Sequence, residues 1–175
     1  LDALLMRLAD GLLALPALPL LVLLAAMDTS AIGLPRGETS ADVTRIVLIL
    51  SAFGWVGVAR LVRAAARSVL ARDWVRAARA LGAGEARVLF RHVLPSLAPS
   101  IAVAASLTAA GAILAESTLS FLGLGIQPPA PSWGNMLANA QDLVLSAPEV
   151  AIWPGLAIML AVAGCTLLAD GVRRH

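Results

Sequence analysis

Thirteen basic side chains, eleven acidic ones, two histidines and one cysteine make up the reactive inventory of these 175 residues. Every basic residue is arginine, so the lysine of a phosphate-gripping P-loop, G-x-x-x-x-G-K-[ST], is missing and nucleotide hydrolysis by that route is excluded. Cys165 lies inside an apolar run and reads as a small buried hydrophobe; one cysteine offers neither a disulfide framework nor a zinc cluster. His92 has no histidine, cysteine or carboxylate at ligand spacing, so it reads as a packing or hydrogen-bonding residue, and His175 is terminal. Glu116 is a solitary carboxylate at the end of an apolar run, with no histidine or aspartate to complete an acid–base pair or triad. No catalytic, cofactor-binding or metal site is read in this chain. Two features remain to be explained: Glu116, and the eight arginines (60, 63, 67, 72, 76, 79, 87 and 91) crowded between two oily stretches.

The elements that must carry them are dictated by hydropathy. The chain is 59% hydrophobic and 14% charged, against about 25% charged in an ordinary soluble domain, and its mean hydropathy is +0.87. A hydrocarbon layer about 30 Å thick needs about 20 apolar residues in a helix. Four stretches qualify, predicting spans over about 5–27, 43–66, 97–120 and 150–169. In the first, Arg7 and Asp10 are spaced to pair on one face and the prolines are tolerable in lipid. In the second, Arg45 and Arg60 stand near opposite ends, from which their side chains reach headgroups. A signal-peptide core over 11–27 is disfavoured by Asp2 and Asp10 where a basic region belongs. A water-facing domain of this length cannot enclose four fully apolar helices.

Buried in lipid, the eight clustered arginines would together cost on the order of 20 kcal/mol, so residues 63–94 are aqueous, and basic excess assigns them to the cytoplasm. Alternation then places 28–42, with three acids and one arginine, and 123–149, with two acids and no arginine, outside. Both chain ends fall inside, the C-terminus with "DGVRRH". The basic balance thus follows from orientation in a membrane and does not argue for nucleic acid.

Within the aqueous segment, Asp73 is placed to cap a two-turn helix and Gly82 to stop it. Trp74, Ala77, Ala78 and Leu81 fall on one apolar face, flanked by Arg76 and Arg79. So short a helix needs a partner surface. On physical grounds that surface is either a protein groove, which the thin alanine face can enter with Trp74 at its edge, or anionic lipid. Glu85 opens a second helix, and Leu94-Pro95 redirects the chain into the next span. In that span Ser100, Ala104, Thr108 and Ala112, with Gly111 beside them, form a ridge of small side chains suited to close helix packing, and Glu116 continues it. "SFLGLGIQPPAPSWGNML" reads as turn-rich, with Trp133 at headgroup depth.

The stretch "WVRAARALGAGEARVLFRHVLPS" resembles the EAA loop of membrane subunits of ABC importers: E-A-A, three residues, Gly, nine residues, a hydrophobic residue, any residue, then Leu-Pro. Ala77, Ala78, Gly82, Leu94 and Pro95 match; Arg76 stands at the glutamate and His92 at the hydrophobic position. With "AILAESTLSFLGLGIQPPAPSWGNML", nearly the whole chain is similar to the branch that handles dipeptides, oligopeptides and nickel. The resemblance implies an all-α, polytopic membrane helix bundle of the type I ABC importer class, here as one partial permease domain over 1–175 with a coupling loop at 72–95. In that family the loop sits in a cleft of a cytoplasmic ATPase subunit, which makes Trp74, Arg76, Ala77, Ala78, Leu81, Gly82, Leu94 and Pro95 the coupling residues.

The same resemblance implies no cofactor on this chain, with ATP and magnesium on the ATPase subunits. It also implies a second permease subunit, an extracytoplasmic substrate-binding protein, and residence in a bacterial cytoplasmic membrane. Full members carry six spans, so the chain is expected to be the C-terminal four-span portion of one. Glu116, Ser117, Trp133 and Asn135 are the candidates for the pathway or an outer gate; for Glu116, placement in the outer headgroups is the competing role. The rival functions are a passive channel, an ion-coupled carrier, or an inactive membrane fragment. The first two call for more intramembrane ionisable groups than Glu116.

Overall fold

A computed structural model describes residues 2–30, 34 and 37–173. Those residues are helical or irregular, with no strand among them: α1 (Asp2–Leu13), α2 (Ala17–Ala26), α3 (Thr39–Leu70), α4 (Asp73–Ala80), α5 (Glu85–Val88), α6 (Leu94–Phe121), α7 (Trp133–Ala140) and α8 (Glu149–Arg173). Three continuous helices are long and apolar enough to cross a membrane: Thr39–Leu70, Glu85–Phe121 and Glu149–Arg173. At 32 and 37 residues, the first two are about 48 and 55 Å long, more than a hydrocarbon layer about 30 Å thick requires. Only 17, 17 and 6% of their apolar windows is buried within the chain. The remaining apolar surface is suited to lipid or to further helices.

The first oily stretch is not a straight helix. α1 and α2 meet at 88°. Pro16 occupies the N-cap of α2 in extended backbone, and the residue before a proline is pushed out of helical conformation, so the chain breaks there. Pro19 falls in the first turn of α2, where a missing N–H costs nothing. In place of the expected Arg7–Asp10 pair, Asp10 faces Arg60 of α3 at 3.5 Å, and Asp2 pairs with Arg63.

At the other end of α3, Arg45 departs from the headgroup role. It is 2% exposed and turns inward. Its Nη2 lies 3.0 Å from Asp42 Oδ1, three residues back on the same helix, and donates to the carbonyls of Leu124 and Gly125, each at 3.4 Å. A buried guanidinium needs such acceptors, and the turn after α6 supplies them. Asp42 in turn accepts from the Gly37 amide.

α6 is the central element, packed on α8 along one side and α3 on another. The small-residue ridge faces α3, where a side chain added at Gly54 would stand 3.5 Å from Thr108 Cγ2. One apolar cluster joins Leu21 and Ala25 of α2, Ile46 and Ile49 of α3, and Leu119 of α6. A second, at the opposite end, joins Val69, Val75, Val88, Val93 and Leu97.

Leu94-Pro95 does not redirect the chain. Helix runs from Glu85 to Phe121, through a π-helical turn at Leu89–Val93. Proline inside an α-helix removes one hydrogen bond and crowds the carbonyl four residues earlier; the wider turn just before Pro95 absorbs that conflict, so the axis continues.

Candidate functional site

Two constructions occupy opposite ends of the α3–α6 pair. At the arginine-rich end, α3 finishes at Leu70 and α4 follows after two residues. Arg72 is the N-cap, with no side-chain bond, and the expected cap Asp73 is the first helical residue, 3.4 Å from Arg76 across an exposed turn. Gly82 adopts φ +84°. Its amide bonds to the Arg79 carbonyl at 2.9 Å and that of Ala83 to the Ala78 carbonyl at 3.1 Å, the paired closure that favours glycine just past a helix end. Across the turn Arg79 reaches Glu85 at 2.9 Å.

What holds α4 in place is Val75, fully buried against Val69, Val88, Val93 and Leu97. That valine was not among the sequence candidates. Of the face that was, Trp74, Ala77 and Leu81 lie outside this cluster. Trp74 is 39% exposed and Leu81 88% exposed. Ala77 is exposed and Ala78 half-buried. Trp74 meets the His92 ring at 6.0 Å between centroids, tilted by 59°, so the histidine at the atypical motif position packs on the tryptophan. Arg76 is exposed, as are Leu94 and Pro95 at the start of α6.

At the other end, α6 closes on Gly123 at φ +73° with the same paired bonds, Gly123 to Ser120 and Leu124 to Leu119. The structure gathers all four candidates there. Glu116 is half-buried; Ser120 Oγ donates to its Oε1 at 2.6 Å, and Ser117 Oγ approaches Oε2 at 3.5 Å. Ser120 Oγ accepts in turn from the Ile126 amide at 3.0 Å, and Asn135 Nδ2 donates to the Ile126 carbonyl at 2.6 Å. The loop is thus bracketed from both sides.

α7 begins beside this bracket, N-capped by Ser132, whose Oγ accepts from the Asn135 amide at 3.1 Å. Contact between α7 and α6 is backbone-close: a Cβ on Gly134 would lie 2.2 Å from the Ser117 carbonyl oxygen, and one on Gly125 would lie 2.2 Å from Ser120 Oγ. Ser120, Gly125 and Gly134 were missed from the sequence; the four-residue spacing of Glu116 and Ser120 was the available signal. Between Glu116, Ile126, Pro131, Ser132, Trp133 and Met136 lies a cleft of about 360 Å³.

Over 170 residues the chain is 42% identical to a di/tripeptide transport system permease protein, DppC, of Pseudomonas aeruginosa, covering 97% of this chain and 52% of that protein. It is 37% identical over 172 residues to the oligopeptide transport system permease protein OppC of Mycobacterium tuberculosis, covering 98% and 56%. It is 36% identical over 172 residues to the glutathione transport system permease protein GsiD of Escherichia coli, covering 98% and 53%. The chain therefore spans about half the length of the curated relatives it matches. A family model described as the binding-protein-dependent transport system inner membrane component matches residues 1–175. This all-α, multi-pass membrane chain, with its open-faced α4 at one end and its hydrogen-bonded bracket at the other, belongs to that family.

Proposed function

We propose that the chain forms part of the permease subunit of an ATP-driven ABC importer that moves short peptides, or a related small solute such as nickel, by alternating access. α4 is its joint to a cytoplasmic ATPase subunit, which binds ATP and magnesium; this chain does no chemistry of its own. A second permease subunit completes the membrane portion, and an extracytoplasmic binding protein delivers solute at the α7 end. In this reading the arginine-rich turn and the C-terminus are cytoplasmic, in a bacterial inner membrane. The matched relatives are named permeases of peptide and glutathione transport systems, which supports the substrate class.

One observation carries the reading. α4 is pinned to its own chain through Val75 while Trp74, Ala77 and Leu81 face outward. Leaving a tryptophan and the C-cap leucine exposed at a short helix anchored from behind by Val75 makes sense if a groove receives them. A movement of the motor would then pull on α4, and the valine cluster would pass the pull to α3 and α6, whose ends it joins.

The test is retention of co-expressed ATPase subunits by the full-length permease in detergent. Leu81→Asp and Ala77→Asp alter exposed positions and should leave the permease folded while abolishing retention. Folded variants that keep the ATPase would assign α4 to the lipid surface and revive the channel or carrier readings.

A further inference from the structure

Glu116 is a carboxylate at the end of a membrane-spanning helix, and among the described residues its hydrogen-bond partners are two hydroxyls. Among the described residues, no arginine pairs with it; the ion pairs lie at Asp42, Asp10, Asp2, Asp73 and Glu85. The N-terminus of α7 is nearby, but an eight-residue helix offers at most about half a positive charge there, and the Ser132 cap already takes up one of its free amides. Ser120 fixes Oε1 firmly, while Oε2 has only the long approach from Ser117, so one carboxylate oxygen keeps its accepting capacity. An ionisable group so placed is costly unless something pairs with it.

The cleft that Glu116 lines tells what could do so. Its other walls are Ile126, Pro131, Trp133 and Met136, with the Ser132 hydroxyl engaged in the cap. A carboxylate, an indole and a thioether lining one cleft together suit an ammonium that carries apolar substituents. The volume, about 360 Å³, lies at the small end of ligand sites, enough for one or two residues of a peptide. A site of this size recognises an end, and the charged amino terminus is the end every unmodified peptide shares. The flexible methionine wall tolerates different first side chains.

Resting on the importer reading, the geometry points to a new substrate site: Glu116 receives the protonated amino terminus of a transported peptide, and Trp133 and Met136 hold its first side chain. Asn135 and Ser120 are positioning residues, which keep the cleft open by bracing Ile126.

The experiment uses the complete transporter, full-length permease with its partner subunits in liposomes, carrying Cys165→Ala and Pro131→Cys, an exposed wall of the cleft that is given no contact to the peptide. Maleimide labelling of the introduced thiol is followed against trialanine and against N-acetyl-trialanine, which lacks the ammonium. Trialanine should slow labelling at a concentration about tenfold below that of the acetylated peptide, the size of one charge-assisted hydrogen bond. Adding Glu116→Gln should remove the difference.

Equal protection by both peptides overturns the proposal, as does protection by neither at concentrations where the transporter imports trialanine, or a preference that survives Glu116→Gln. If Glu116→Gln fails to assemble, the two peptides on the Glu116 protein still decide. Protection by the empty binding protein alone would overturn it too, by giving the carboxylate to a docked subunit. Selective protection without any ATP-driven import would leave the ammonium site standing and refute the importer reading.

Discussion

The arginine-rich turn and the polar bracket contain similar local devices, a glycine-closed helix end followed by a short helix, yet they treat their side chains in opposite ways. α4 gives Val75 to its own chain and rests Trp74 on His92, leaving Ala77 and Leu81 exposed. The bracket turns its polar groups inward, where Ser120, Asn135 and Arg45 all serve carbonyls, amides or the carboxylate of neighbouring segments. A surface left unfinished is made to be completed by another molecule. A surface closed by its own hydrogen bonds holds a shape that something else uses. Mutations should therefore separate them: changes in the bracket should cost stability, and changes on the outer face of α4 should cost association.

The largest stability effect is expected at Arg45. Arg45→Met removes the donor that ties the start of α3 to the turn after α6 and strands Asp42, which is fully buried. Breaking a buried pair by removing one partner costs about 3–5 kcal/mol. Thermal unfolding in detergent should show a marked loss. Removing both charges, with Asp42→Leu added, should recover most of it, since two apolar groups need no partners. Recovery that fails would mean the carbonyl contacts of Arg45, rather than the charge pair, hold the bracket.

Gly134→Ala comes next. The added methyl cannot share space with the Ser117 carbonyl oxygen 2.2 Å away, nor with Ser120 Cβ at 2.7 Å, so α7 must lift from α6. Overpacking against backbone costs about 3 kcal/mol. Limited proteolysis within 123–149 should accelerate accordingly. At the other end, Val75→Ala should cost about 2 kcal/mol by leaving a cavity in the valine cluster. Its effect on ATPase retention should exceed its effect on unfolding, because it loosens the helix that presents the docking face.

These two ends were unequally legible in the sequence. Long apolar runs announce helices by length alone, and the outward face of α4 was visible in the spacing of Trp74, Ala77, Ala78 and Leu81. Which way a helix faces is a different matter: nothing local tells Val75, one residue off that face, that Val88 and Val93 will arrive beneath it. Arg45 was misassigned for the same reason. A lone arginine near a span end suits a headgroup unless acceptors arrive, and the carbonyls that capture it lie 79 and 80 residues along the chain. Pro95 misled in the opposite direction. A proline reads as a break, but a helix can widen by a single turn to keep it, as this one does at Leu89–Val93, where Val93 and Leu97 sit in the apolar cluster on either side of the proline. At Pro16 the helix does break. Glu116, Ser117, Trp133 and Asn135 were found together, but Gly134 and Ser120, which set their distances, carry no chemistry that singles them out in a sequence.

The Arg79–Glu85 pair is expected to contribute least. Arg79 and Glu85 meet at 2.9 Å across the turn after α4, a distance that invites reading the pair as the clasp of the joint. Their side chains are 40 and 76% exposed, however, and ion pairs in water contribute about 0–1 kcal/mol. The turn already has its paired backbone bonds at Gly82 and Ala83, and α4 already has Val75. A double-mutant cycle on Arg79→Ala and Glu85→Ala should yield a coupling below about 1 kcal/mol in thermal unfolding, shrinking further as salt is raised. ATPase retention should be unchanged by Glu85→Ala alone. If the coupling proved several times larger, charge rather than apolar packing would set the shape of the joint, and the two ends of the molecule would be built on the same principle after all.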